Sequence, residues 1–188
     1  MPVPDLQRSD ALEHEVAAQP IAIRKPRAED GMRAAKLVMQ CPPLDRNSTY
    51  CYLLQCTQFA DTCAIAEMNG SIVGFISGHR VPASPDSLFI WQVAVAEEAR
   101  GRGLGRDMML DILCRSSSKG FTHLLATATD DNLPSRRMFQ SLAKSLRTNI
   151  GHSAMFDREI HFAGAHESEV LLTIGPFRAP NEKGLFTA

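Results

Sequence analysis

Between positions 100 and 106 the chain reads Arg-Gly-Arg-Gly-Leu-Gly-Arg. Glycine at 101, 103 and 105 lets successive backbone N–H groups crowd towards one point without Cβ clashes. From Leu104 the apolar residues fall at 104, 108, 109, 112 and 113, which predicts a helix to about Cys114. The start of that helix adds unpaired donors and the positive end of its dipole. Arg100, Arg102 and Arg106 add fixed positive charge. Such a stretch can cradle an anion the size of a pyrophosphate. It has no Gly-Lys-Ser/Thr ending, which excludes the phosphate loop of nucleoside triphosphatases. Its glycine spacing also fails the dinucleotide fingerprint, and no acidic residue closes a strand at the ribose position.

These residues need a scaffold. Leu88 to Val95 reads as a buried strand delivering the chain to the loop, with Pro82 to Asp86 a loop before it. Upstream, Ile21 to Arg24 predicts an edge strand, and a helix follows from Glu29-Asp30 to about Val38, stopped by Pro42-Pro43. Asn47 or Ser48 can cap a second helix that includes Tyr50, Leu53, Leu54 and Phe59. Cys63 to Met68 and Ser71 to His79 flank Asn69-Gly70, a type I′ hairpin signal. Gly74 and Gly78 within the second of these strands suggest a bulge or a close backbone approach. Thr122 to Thr129 predicts a strand, Leu133 to about Leu146 a helix with Pro134 in its first turn, and Glu169 to Ile174 the last strand. Residues 147 to 165 follow no clear period, and Pro176 to Ala188 reads as a tail.

The chain has 188 residues, 44% hydrophobic and 22% charged, with a formal net charge of −1. That fits one folded domain, here 20–178, between a lead-in (1–19) and a tail (179–188). Near-zero charge offers no field for nucleic acid, and no apolar run approaches the ~20 residues of a membrane span. The first 20 residues lack a signal peptide's apolar core, and five cysteines without a CxxC pair read as reduced thiols, so a cytoplasmic location is expected. No His/Cys spacing supports a metal site.

Arg100, Gly103 and Gly105 form Arg-x-x-Gly-x-Gly, which resembles the coenzyme A loop of the GCN5-related N-acetyltransferases (GNAT). The resemblance implies an α/β fold with a central mixed, mostly antiparallel twisted sheet flanked by helices. It implies acetyl-CoA as co-substrate, bound by Arg100, Gly101, Arg102, Gly103, Leu104, Gly105 and Arg106. Val93 and Val95 occupy the places where the central strand splays and frees backbone groups for the pantetheine arm. The Val93 N–H is then a candidate donor to the thioester oxygen. Asn132 and Ser135 resemble a second coenzyme contact, and would otherwise be a helix cap. Phe139 stands where many members carry a tyrosine that protonates the leaving thiolate, and phenylalanine has no proton to give.

Three longer stretches resemble the diaminobutyrate acetyltransferases of ectoine biosynthesis. They are Cys-Pro-Pro-Leu-Asp-Arg-Asn-Ser-Thr-Tyr-Cys-Tyr-Leu-Leu-Gln-Cys (41–56), Pro-Asp-Ser-Leu-Phe-Ile-Trp-Gln-Val-Ala-Val (85–95) and His-Phe-Ala-Gly-Ala-His-Glu-Ser-Glu (161–169). This implies transfer of acetyl to the 4-amino group of L-2,4-diaminobutyrate by direct amine attack in a ternary complex, in a homodimer. For such a substrate, Asp45 can pair with an ammonium, and Tyr50 and Tyr52 can hydrogen-bond either charge type. Trp91 can wall the carbon chain or meet a cation, in which case Gln92 points to the opposite face of the sheet. Arg46 can receive the carboxylate, or simply be solvated. If their segment is extended, Glu159 and His161 share one side, where they can bind the 2-ammonium and help deprotonate the 4-ammonium. His166, Glu167 and Glu169 are alternatives from the same region. Two other readings stay open: an acetyltransferase for a different amine, and a non-catalytic acetyl-CoA sensor.

Overall fold

A computed structural model describes residues 20–178. The expected lead-in and the tail beyond residue 178 lie outside the described residues. The elements in order are β1 (Ala22–Arg24), α1 (Asp30–Met39), α2 (Thr49–Thr57), β2 (Ala64–Met68), β3 (Ser71–Val81), β4 (Ser84–Val95), α3 (Leu104–Cys114), β5 (His123–Ala128), α4 (Leu133–Ser145), β6 (Ile150–Phe156), α5 (Arg158–Phe162) and β7 (Glu169–Ile174). They form a seven-stranded sheet in the order β1-β2-β3-β4-β5-β7-β6. Every neighbouring pair is antiparallel except β4 and β5. A mixed, mostly antiparallel α/β sheet flanked by helices is what the sequence implied.

One face carries α3 and α4, the other α1 and α2. Leu104, Met108, Met109, Ile112 and Leu113 of α3 all enter the larger core, as their helical spacing requires. Each such side chain contributes about 1.5–3 kcal/mol on burial. Gly74 of β3 lies under this helix, and a Cβ there would sit 2.7 Å from Met108 Sδ. On the opposite face Tyr52, Phe75 and Ala94 join α1 and α2 in a second core. The hairpin turn is type I′, with φ of 52° at Asn69 and 74° at Gly70.

The decisive irregularity is in β4. Ser77 pairs with Gln92 and Gly78 with Ile90, so Trp91 is an extra, unpaired residue. Before this bulge Leu88 and Ile90 enter the α3/α4 core, and after it Val93 and Val95 pack there. The bulge therefore inverts the alternation. It places Gln92 on the α1/α2 face together with Trp91, which corrects the expectation that they point to opposite faces.

Other expectations shift. The central strand starts at Ser84 rather than Leu88, because Pro85 precedes the β5 pairing that begins at Ser87 and no donor is missed. Phe59 falls outside α2, which ends at Thr57. The unassigned stretch holds β6 and α5. Phe177 is buried and its N–H donates to the Thr122 carbonyl at 2.8 Å, so Pro176 to Arg178 dock onto the domain.

Candidate active site

Pairing between β4 and β5 ends at Ile90 and Ala126, and beyond that point the two strands part. On the β3 side, Ala96 N–H donates to Val73 O at 2.8 Å. By the alternation of an antiparallel ladder, the N–H and C=O groups of Val93 and Val95 then point away from β3, into the gap. The gap opens into a cleft of about 430 Å³. Val93, Val95 and the loop Arg100, Gly101 and Gly103 form one wall. Leu104, Gly105 and Arg106 at the start of α3, with Asn132 and Ser135 at the start of α4, form another.

Gly101 and Gly103 adopt left-handed φ of 74° and 76°, turning the chain so that the first N–H groups of α3 face the cleft. A Cβ on Gly105 would meet Met138 Sδ at 2.4 Å, so glycine lets α4 close against α3. Asn132 Oδ1 accepts from Ser135 N–H at 3.2 Å: the pair is a helix cap that also lines the cleft. Arg100 Nε donates to the Val95 carbonyl at 3.0 Å, and Arg106 holds Asp107 at 2.7 Å. Arg102 is placed elsewhere, with a guanidinium nitrogen 3.9 Å from Met68 Sδ, so it does not wall the cleft. Sequence reasoning missed Cys41, Pro42, Pro43 and Leu44, which close the cleft from the α1 side, and Met138 and Ser141 of α4. The first four stood in the sequence only as a helix stop and the start of the 41–56 stretch, and Met138 and Ser141 only as residues of the helix after Leu133.

The α1/α2 face beside the cleft is built around Gln92. Its Nε2 donates to the Asp45 carbonyl at 2.7 Å, and its Oε1 accepts from Asn47 Nδ2 at 3.2 Å. The side chain of Asp45 is exposed above this anchor. Tyr50 is 69% exposed, whereas Tyr52 is 2% exposed. Tyr52 OH accepts from Asn47 N–H at 3.2 Å, and the ring meets Phe75 edge-on. This corrects the expectation that Tyr52 contacts substrate: residues i and i+2 lie on opposite sides of a helix, so only one of the two tyrosines can face out. Trp91 is half-exposed and lines a second pocket of about 550 Å³ with Phe59, Thr62 and His79. Burial pushes the His79 imidazole below its ordinary pKa, so it is neutral at pH 7.

Residues 32–143 match the model of the acetyltransferase (GNAT) family. The chain belongs to that family. It is 46% identical over 159 residues to the L-2,4-diaminobutyric acid acetyltransferase of Methylotuvimicrobium alcaliphilum, covering 85% of this chain and 92% of that protein. To the Halomonas elongata protein of the same name it is 43% identical over 162 residues, 86% and 84% of the two chains. In structure it is similar to the Paenibacillus lautus diaminobutyrate acetyltransferase EctA, solved with L-2,4-diaminobutyric acid and coenzyme A. The TM-score is 0.81 at 38% identity, covering 85% of this chain and 97% of that one.

Two expectations change within this GNAT acetyltransferase. Glu159 and His161 do not lie on one side of an extended segment, because Asp157 caps α5 there and i, i+2 residues of a helix diverge. His161 Nδ1 accepts from Asp157 N–H at 2.7 Å. The neutral ring then carries its proton on Nε2, leaving a donor rather than a base at its free end. Glu159 is largely exposed and 3.5 Å from Arg158 Nε. Glu167 pairs with the Arg158 guanidinium. Glu169 stands apart from these. Ala128 at the end of β5 pairs with Val170, so Glu169 lies one step beyond, at the end of the sheet where β4 and β5 separate. Val170, Leu172 and Ile174 pack against the α3/α4 core, so Glu169 points to the α1/α2 face. Its Oε2 is buried and has no hydrogen-bond partner.

Phe139 is buried in the larger core and is no proton donor. Among the described residues no group of three or more His, Cys, Asp or Glu is placed to hold a metal ion, and no helix is long and apolar enough to cross a membrane.

Proposed function

We propose that this enzyme transfers the acetyl group of acetyl-CoA to the 4-amino group of L-2,4-diaminobutyrate, the acetylation step of ectoine biosynthesis. The observation that carries the reading is the likeness to the P. lautus enzyme solved with that substrate and coenzyme A. In this reading the pyrophosphate rests on the Gly101–Arg106 loop and the pantetheine arm runs along Val93 and Val95. The Val93 N–H, held in the gap, meets the oxygen that becomes negative in the tetrahedral intermediate. The amine attacks the thioester carbon, loses its proton to solvent or a nearby acid, and the thiolate leaves.

Attack is direct, in a ternary complex. Burial pushes the Cys56 and Cys63 thiols up to about 12, and Cys51 and Cys114 are also raised, while Cys41 at the cleft wall turns its thiol to the Val95 carbonyl at 3.5 Å, so the cysteines do not supply the thiolate that an acyl-cysteine needs. On the acceptor side Asp45 and Glu169 supply negative charge for the ammonium groups, with Tyr50 and Trp91 flanking the chain. His161 and Glu159 serve as outer polar groups on α5. The assembly is a homodimer in the cytoplasm. Its interface is the outer edge of the sheet, where Met155, Phe156 and Ile160 are exposed.

The test is thiol release from acetyl-CoA against diaminobutyrate, ornithine, lysine, putrescine, spermidine and a short peptide, with products assigned by NMR. Release confined largely to diaminobutyrate, acetylated at N4, supports the reading. Preference for another amine discards the substrate, and coenzyme binding without release points to the sensor reading. Asp45→Ala is expected to raise KM for diaminobutyrate while calorimetry shows unchanged coenzyme affinity.

A further inference from the structure

The segment between α1 and α2 borders two sites at once. Cys41 to Leu44 wall the coenzyme cleft, and Asp45 to Ser48 lead into α2 on the acceptor side. One buried side chain ties the second part to the sheet. Gln92 is 4% exposed, and both ends of its amide are used. Nε2 donates to the Asp45 carbonyl at 2.7 Å and Oε1 accepts from Asn47 Nδ2 at 3.2 Å. Tyr52 OH, itself buried, takes the Asn47 N–H at 3.2 Å. The loop therefore has its backbone fixed at Asp45 and again at Asn47, while the Asp45 side chain stays exposed.

Gln92 reaches this loop only because of the Trp91 bulge. Without it, residue 92 would face the α3/α4 core and Asp45 and Asn47 would lose their side-chain anchor on β4. The chain neighbour of Gln92 is Val93, whose N–H points into the gap. One peptide unit thus separates the group that holds the acceptor loop from the group that meets the thioester oxygen. The two amino groups of a 2,4-diamino acid sit on carbons separated by a single methylene. Choosing between them requires the acceptor anchor to be set against the reacting centre to about 1 Å, the scale at which misplacement costs ~100-fold in rate.

We propose that Gln92 is a positioning residue that latches the acceptor loop to the strand presenting the Val93 N–H, and so determines which amine of a diamine is acetylated. This rests on the acceptor reading given above. A buried amide spanning two partners does this better than a packed aliphatic side chain, because its donor and acceptor fix the loop's register as well as its distance.

The test compares Gln92→Met, which removes both bonds at similar volume, with Gln92→Glu, which keeps the acceptor for Asn47 and loses the donor to Asp45. Expected are a fall in kcat/KM for diaminobutyrate on the order of 10–100-fold, N2-acetylated product by NMR, and unchanged coenzyme A affinity by calorimetry. Asn47→Ala is expected to give the same mixed product, and the double variant with Gln92→Met to add nothing further. A mere loss of packing would lower activity without altering the product ratio. The proposal is overturned if Gln92→Met keeps wild-type kcat/KM and a single product, or if acceptor and coenzyme affinity fall in parallel. Should Gln92→Met not fold, Gln92→Glu carries the same two readouts. Wild-type enzyme inactive on diaminobutyrate would overturn the substrate reading alone. The latch is then judged by the same ratio on whichever diamine the wild type acetylates.

Discussion

In the proposed reaction the group used at position 93 is a backbone N–H, so its chemistry would survive exchange of the side chain and be set by strand geometry. Side chains matter more on the acceptor face. Glu169 places a carboxylate oxygen in a buried position without a partner. A buried acceptor left unpaired costs about 1–3 kcal/mol, a cost a substrate ammonium would remove on binding. Glu169→Gln is therefore expected to lower kcat/KM for the amine on the order of 10–100-fold while leaving the unfolding midpoint in urea unchanged or raised. A large loss of stability with normal kinetics would assign Glu169 to the fold. The neutral His79 beside Trp91 belongs to the same face, and its low pKa follows from burial alone.

At the scale of elements, the β3–β4 bulge and the α1–β2 charge network each join parts distant in sequence. A Cβ on Gly78 would lie 2.7 Å from the Phe89 carbonyl and 3.1 Å from that of Thr62, both backbone atoms that cannot swing away. Gly78→Ala is expected to cost about 1–3 kcal/mol by denaturant titration and to weaken amine binding through the displaced Trp91. Asp30, almost fully enclosed at the start of α1, binds Arg24 at 2.6 Å, Arg33 at 3.3 Å and the Arg27 N–H at 2.8 Å. Arg24 and Arg33 also hold Glu67 of β2. The Arg24 bond holds the Asp30 carboxyl below its ordinary pKa. Its stabilisation is thus fully present above the unfolded value of about 3.9 and is lost as pH falls through the lowered folded value. Thermal melts should show stability declining below about pH 4. Asp30→Asn should flatten that decline and cost about 1.5–3 kcal/mol at pH 7, since Arg24 would lose its charge-assisted bonds to Asp30 while keeping Glu67.

For the whole molecule, the sheet ends on one side in β6, whose residues 151–156 are exposed on both faces. The adjoining α5 presents Ile160 at 81% exposure. An open edge with apolar side chains beside it is the surface that association would cover. Light scattering is expected to give twice the mass of one chain, and Ile160→Glu to reduce it to one. A wild-type monomer would remove this edge from the assembly. The same end of the sheet carries Glu169 and α5, so a dimer formed there would also narrow the approach to the acceptor face.

The sequence by itself determined the elements whose signals are local. The turn into α3 is legible in its glycines, α3 in its apolar spacing, the hairpin in Asn69-Gly70, and the family in stretches that carry no spatial information. The sequence left Asn132 open between a cap and a coenzyme contact, and in the structure it is a cap by its bond to Ser135 that also lines the cleft. Only the tertiary structure decided which side chains meet. That Gln92 and Trp91 share the α1/α2 face depends on one unpaired residue in β4, and a bulge leaves no mark on period-two alternation until the neighbouring strand is aligned. Tyr52 reads as well as Tyr50 for a substrate contact until α2 is packed on Phe75. Glu159 and His161 share a side in a strand and part in a helix, and the five-residue α5 is too short to announce its period. Long-range pairing set these outcomes, because burial and hydrogen bonds between segments far apart in the chain outweigh the weak preference of any one of them.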